Sequence, residues 1–315
     1  MTRDIYRPPE YGNNAVQRAI GKLESFHDGD IAVLEVVACG DRAIPALRKL
    51  LFDREPSGLF QVRVRAVDAL TKFGAYEVLV EFLSTPHDVT DPVERLGEDA
   101  VINAGARALA YHSDQRVFEL LLRLAHRPCL TGVISALGTS RRPEAIPLLV
   151  EALSEDVSRV TAEAALKRIG AAARPALIKV VSRRADAHEH VSESRLRQRR
   201  SALRLLAEMG VSRRTWQAVR HLMYEDDGRI AIVACGICLT TGSASERRDA
   251  VLRLFRLFAN ADWTSRDEIE RNLVAHLCTS KEIIAGSTQL SALIAEDVGV
   301  QELVERILCR VQGCG

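Results

Sequence analysis

The chain has 315 residues, with 43 basic and 42 acidic side chains, a net charge of +1 at neutral pH, 47% apolar residues and only 5% aromatic ones. That apolar fraction supports a sizeable core, and the modest glycine and proline content excludes a low-complexity chain. No uncharged apolar run approaches the roughly 18 residues that a membrane span needs, and the opening MTRDIYRPPEYGNN lacks the apolar centre of a signal peptide.

The near-neutral total hides a gradient. Residues 1–157 carry 18 basic and 23 acidic side chains, whereas residues 158–315 carry 25 and 19, and arginine outnumbers lysine 37 to 6. The seven cysteines are an odd number without paired spacing, most of them on apolar helical faces. They read as reduced, buried thiols of a cytoplasmic protein.

In chain order, residues 1–13 read as a lead. Asn13 and Asn14 then cap a helix whose stripe is Val16, Ala19, Ile20, Leu23 and Phe26. Residues 1–29 form the N-terminal lead and capping helix, 30–260 a repeat array, and 261–315 a C-terminal helical cap. The array is a run of helical hairpins whose aligned second helices are AIPALRKLL, AYEVLVEFL, RVFELLLRL, AIPLLVEAL, ARPALIKVV and TWQAVRHLM, starting at 43, 75, 116, 145, 173 and 215.

Their second, fifth and ninth positions are apolar except at Arg174, a spacing that puts one buried stripe on each helix. Pro45, Pro147 and Pro175 fall in first turns, where no intrahelical bond is lost. Gly40, Gly74, Gly138, Gly170 and Gly210 are expected to close the first helices as left-handed caps.

Two units carry insertions. One covers 85–95, where Asp91, Pro92 and Glu94 announce a first helix extended from Pro92 to about Tyr111. The other, 183–194, is polar and aperiodic. Past residue 225 the pattern loosens into amphipathic helices expected at 229–240, 246–259, 266–278, 281–295 and 301–311.

The unit VRxxAxxALxxxG…AxPxLxxxL, present at 64–83, 133–153 and 160–181, resembles the HEAT-like repeat of the short bacterial kind called phycobilisome-lyase-type. The resemblance is good over 31–184 and weaker to about 260. It implies an all-α fold, an α-solenoid of HEAT-like hairpins whose second helices line a concave surface. It implies no reaction, since most proteins built this way are adaptors or scaffolds.

Candidate chemistry is sparse. Cys235 and Cys238 have CxxC spacing, but inside an apolar helix, with neither the exposed helix start of a redox pair nor the further ligands of a zinc site. His188, Glu189 and His190 form one His/Glu cluster in a loop, where HEAT-like di-iron hydroxylases carry several on helices. Trp216, Trp263 and Asp262 supply residue types found in HEAT-like alkylbase DNA glycosylases, yet Trp216 aligns with core positions.

The one dense feature is basic: Arg195, Arg197, Arg199 and Arg200, followed by Arg213 and Arg214. Such crowding costs repulsion unless an anion, an acidic surface or neighbouring Glu189 and Glu193 meets it. Arg195 and Arg199 share a helical face and Arg197 does not, so a single ligand cannot engage them all.

The expectation is therefore a non-enzymatic scaffold that binds a protein partner, possibly an acidic one, on its concave or basic surface, with no membrane, cofactor or metal. Nucleic-acid binding through 195–214 is the alternative, weakened by the lack of aromatics around the cluster. A HEAT-like enzyme, either a chromophore lyase or a DNA glycosylase, stands third.

Overall fold

The structure is a computed structural model that describes residues 13–25, 27–53, 60–86, 88–183, 192–279 and 298–313. Among them there is no strand. The helices are α1 (Asn13–Gly21), α2 (Gly29–Ala38), α3 (Ile44–Phe52), α4 (Phe60–Phe73), α5 (Tyr76–Ser84), α6 (Pro92–Ala108), α7 (Gln115–Leu124), α8 (Thr131–Ser140) and α9 (Ile146–Ala152). They continue with α10 (Arg159–Ile169), α11 (Arg174–Ser182), α12 (Glu193–Glu208), α13 (Arg213–Val219), α14 (Gly228–Thr241), α15 (Ala244–Ala259), α16 (Trp263–Thr279) and α17 (Val298–Gly313). The fold is all-α, of the α-solenoid class built from helical hairpins.

The second-helix stripe is buried as its spacing requires. Leu47, Leu51, Leu79, Leu149, Leu153, Leu177, Trp216 and Val219 are fully enclosed, and of the apolar members only Ile44 and Tyr76 are half-buried. Arg174, the exception in that stripe, donates from Nη2 to the Met209 carbonyl. Met209 is the C-terminal cap of α12, so a cation stands where the helix dipole is negative. The stripe position is kept, and its chemistry is exchanged for a cap.

The extended first helix is also present. Asp91 accepts from the amides of Val93 and Glu94 at 2.9 Å each, and α6 runs from Pro92 to Ala108, three residues short of Tyr111. The expected helix over 281–295, the residue Phe26 and most of the 183–194 insertion lie outside the described residues.

Two expectations need correction. Gly40, Gly74, Gly170 and Gly210 do adopt positive φ, at 73°, 70°, 75° and 76°, but Gly138 sits inside α8 and the left-handed residue there is Arg141, at φ 53°. Gly138 is small for a different reason: a Cβ on it would lie 2.5 Å from the Ala165 Cβ and 2.6 Å from the Ala165 Cα. The thiols are not uniformly buried either. Cys235 and Cys238 are buried and Cys39 half-buried, but Cys129 and Cys309 are exposed; Cys129 stands in the α7–α8 connection with φ 66°, off any helical face.

The chain divides into two compact units, one of residues 1–149 and 160–169, the other of 150–159 and 170–315. This subdivides the 30–260 array, with the chain crossing between the units within α9, at the start of α10 and at its end. In the first unit α2, α4, α6 and α8 pack on one another in succession. Small residues permit the approach: a Cβ on Gly97 would lie 3.0 Å from the Phe60 Cβ, and one on Gly132 would run into the Asn103 backbone.

In the second unit α12, α14 and α16 repeat this succession, with α17 against α15 and α16. A Cβ on Gly236 of α14 would lie 3.0 Å from the Asn272 amide of α16. In both units the first helices form the closer-packed layer. Glycine and alanine on the first helices are the physical cause.

Candidate functional site

The arginine cluster opens α12, whose first turn is capped by the Ser192 hydroxyl accepting from the Arg195 amide at 3.4 Å. From that helix the side chains diverge as their spacing requires. Arg197 donates to Asp156 at 2.5 Å. Arg199, buried, donates to Glu225 at 2.8 Å and to the Val181 carbonyl at 3.3 Å.

Arg200 takes Asp227 through Nε and Nη2, at 3.0 and 2.6 Å, and Glu193 at 3.0 Å. Arg195 is half-buried. Arg213 donates to the Thr241 carbonyl at 2.8 Å and pairs with Glu246 at 3.2 Å, while Arg214 is exposed. The acidic surface that relieves the crowding is the protein's own. Glu193 serves as expected; Glu189, with His188 and His190, lies outside the described residues.

These pairs join into a ladder along the starts of the first helices. Asp227 caps α14 by accepting from the Ile230 amide at 3.0 Å while it holds Arg200. Asp262 caps α16, accepting from the Ser265 amide at 2.8 Å and the Thr264 hydroxyl at 2.6 Å, while it takes Arg229 of α14 at 2.9 Å. Each carboxylate thus ends one helix and fastens the preceding one.

These bonds shift titration. Burial pushes Asp227 up, but Arg200 and the Ile230 amide outweigh it and leave the group lowered. The Thr264 hydroxyl, the Ser265 amide and Arg229 hold Asp262 far below the usual carboxylate range. Glu246, which accepts from the Ser243 amide, its hydroxyl and the Trp216 indole, is held down at about 2. Groups depressed in the folded state add stability that is complete above the ordinary range near ~4 and is lost as pH falls through their folded values. The urea midpoint of the wild type should therefore drop between pH 5 and pH 2, and Asp262→Asn should lower the midpoint at pH 5 while flattening that drop. A parallel drop in the variant would show that Asp262 is not among the titrating groups.

Along α12, α14 and α16 lies a groove with a volume of about 830 Å³. Its floor is α14, through Val233, Gly236 and Ile237; Arg204 and Glu208 rise on the α12 side, Glu268 and Arg271 on the α16 side. Thr240, Thr264, Ser265 and Asn272 add hydroxyls and an amide. Arg204 is exposed, and Arg271 is 67% exposed beside Asp267. The lining carries neither histidine nor cysteine among the described residues; it offers hydrogen bonds and both charge signs across a shallow apolar floor.

Cys235, Cys238 and Trp216 have structural employment. Burial pushes both Cys235 and Cys238 up to about 12, so they stay protonated thiols. Trp216 is fully buried and donates to Glu246 at 3.2 Å, while Trp263 is 81% exposed. The sequence reading missed Arg204, Arg229 and Arg271. The only signal for Arg229 was a capping aspartate one hairpin further on, a pairing that needs the three-dimensional register.

A comparison with protein families matches residues 132–155 to the PBS lyase HEAT-like repeat. No curated protein matches. Among solved structures, the crystal structure of an engineered protein from the Northeast Structural Genomics Consortium aligns at 16% identity over 95% of this chain and 97% of that one, with a TM-score of 0.23. No helix among the described residues is long and apolar enough to cross a membrane.

Proposed function

We propose that this chain is a non-enzymatic interaction scaffold, acting in the cytoplasm, that holds a protein partner in the groove over α12, α14 and α16. The observation that carries the reading is the groove itself: three consecutive first helices present arginines, carboxylates, hydroxyls and an amide around a floor left low by Gly236. Helical repeats of this kind commonly mediate protein interactions, and mixed charge suits a polypeptide. Phosphate backbones favour uniformly basic tracks. Three arginines of the basic cluster are already engaged by Asp156, Glu225 and Asp227, which supports protein over nucleic acid.

The test is a photo-crosslinking amino acid placed at Thr240 in the full chain, irradiated in extract of the native cell. A crosslinked protein is expected, lost in the Arg204→Glu/Arg271→Glu variant and retained in Arg214→Ser. Equal crosslinking in the parent chain and both variants, or oligonucleotide binding with a steep salt dependence, would overturn the reading.

A further inference from the structure

A second concavity adjoins the groove. It has a volume of about 510 Å³ and lies among the start of α14, the last two turns of α15 and the start of α16. Arg229 and Ser265 line both the concavity and the groove. The two are therefore contiguous, and they meet at the arginine that Asp262 holds.

The charges of this concavity do not balance internally. Arg200, Arg229, Arg253 and Arg256 line it against Asp226, Asp227 and Asp262. Arg200 is taken by Asp227, and Arg229 by Asp262. Arg253 and Arg256, three residues apart on α15, share a helical face, and neither makes an ion pair among the described residues. Arg253 donates from Nη2 to the Glu225 carbonyl at 3.4 Å, while its Nε is buried with no hydrogen-bond partner. Arg256 is exposed. Asp226, also exposed, is the unpaired carboxylate of the lining. Two guanidiniums on one face repel each other, and the fold places no acid in contact with either.

The kind of anion that relieves them follows from the balance. Four arginines against three aspartates leave an excess of one positive charge. A single carboxylate cancels it, whereas a phosphate dianion overshoots. Guanidinium forks also match a carboxylate in bidentate geometry. Ile232, Leu257 and Ala261 add an apolar wall beside the arginines. The volume exceeds that of a carboxylate alone, so an aliphatic stem fits with it. A carboxylate on a short aliphatic stem is the side chain of an acidic residue.

We propose that this concavity is a carboxylate-binding site, in which Arg253 and Arg256 take an acidic side chain of the polypeptide lying in the adjoining groove. The proposal rests on the scaffold reading and deepens it, by naming one chemical feature of the partner.

The experiment titrates the full chain, at constant ionic strength, with N-acetylglutamate α-amide, which carries one side-chain carboxylate. N-acetylglutamine amide is the neutral control and inorganic phosphate the second anion. The readout is the set of arginine Nε–H resonances, with the thermal midpoint followed in parallel. The carboxylate should shift the Arg253 signal saturably and the neutral amide should not. Arg253→Gln/Arg256→Gln should weaken binding about fivefold or more without lowering the midpoint. Asp226→Asn, which removes the opposing charge, should tighten binding about twofold. In cell extract, the crosslink at Thr240 should weaken in the double arginine variant.

Equal binding of the neutral amide, tighter binding of phosphate, weaker binding in Asp226→Asn or no saturable shift overturns the proposal. So does an unchanged Thr240 crosslink in the double variant, which would leave the carboxylate site unconnected to the groove. If the crosslink persists in the parent chain in those cases, the scaffold reading survives and only this site falls. Loss of the crosslink in the parent chain itself overturns both.

Discussion

Gly138→Ala should destabilise the first unit by ~3 kcal/mol, at the upper end of overpacking penalties of ~1–3 kcal/mol. The added methyl would stand 2.5 Å from the Ala165 Cβ and 2.6 Å from its Cα. Neither atom can rotate away, so α8 and α10 must separate. Alanine also brings a gain of ~1 kcal/mol in helix propensity over glycine, and that gain is outweighed because the clash is with backbone. Urea unfolding, read as a shift in midpoint at constant slope, measures the loss. Ala165→Gly in the same chain should restore part of the stability, since it removes one of the two opposing atoms and leaves the Cα. A variant as stable as the wild type would mean that α8 and α10 are not in contact at this point.

The same residue shows where sequence reading stops. The period of the second helices is a local property, and Leu47, Leu79, Leu149, Leu177 and Val219 are enclosed as it demands. The identity of Gly138 as a glycine was legible too, but two causes produce a glycine near a helix end. A left-handed cap is set by the local chain; close approach is set by Ala165 of another hairpin. Only the first has a sequence signature.

The arginine cluster divides in the same way. Its crowding required a counter-charge, and Glu193, seven residues from Arg200, was within local reach. Asp156, Glu225 and Asp227 are 41, 26 and 27 residues from their arginines, and no spacing rule connects them. The groove is harder still. Its arginines come one each from α12, α14 and α16, scattered singly along the sequence.

Glu98→Ala should be the most damaging single change among the ion pairs, costing ~3–5 kcal/mol, the usual range for removing one partner of a buried pair. The Glu98 side chain is 2% exposed and accepts from Arg63 at 2.6 Å. Arg63, 13% exposed, also donates to the Leu51 carbonyl at the end of α3 at 3.0 Å and lies 5.6 Å from the Phe82 ring centre. Without the carboxylate that guanidinium keeps its burial and loses its charge partner.

Glu98→Gln retains an acceptor and should cost less, ~1–3 kcal/mol. The double variant Arg63→Met/Glu98→Leu should be the mildest, because desolvating two charges offsets most of their attraction. Arg63 Nη2 is already buried with no hydrogen-bond partner, which further reduces what the double replacement gives up.

The second unit supplies the control. Arg199 repeats the arrangement on Glu225 and on Val181, at the end of α11, but the Glu225 side chain is 26% exposed. Water can solvate what Glu225→Ala leaves behind, so its loss should be the smaller. Equal losses at Glu98 and Glu225 would mean that the hydrogen bond, not the burial of the charge, sets the cost.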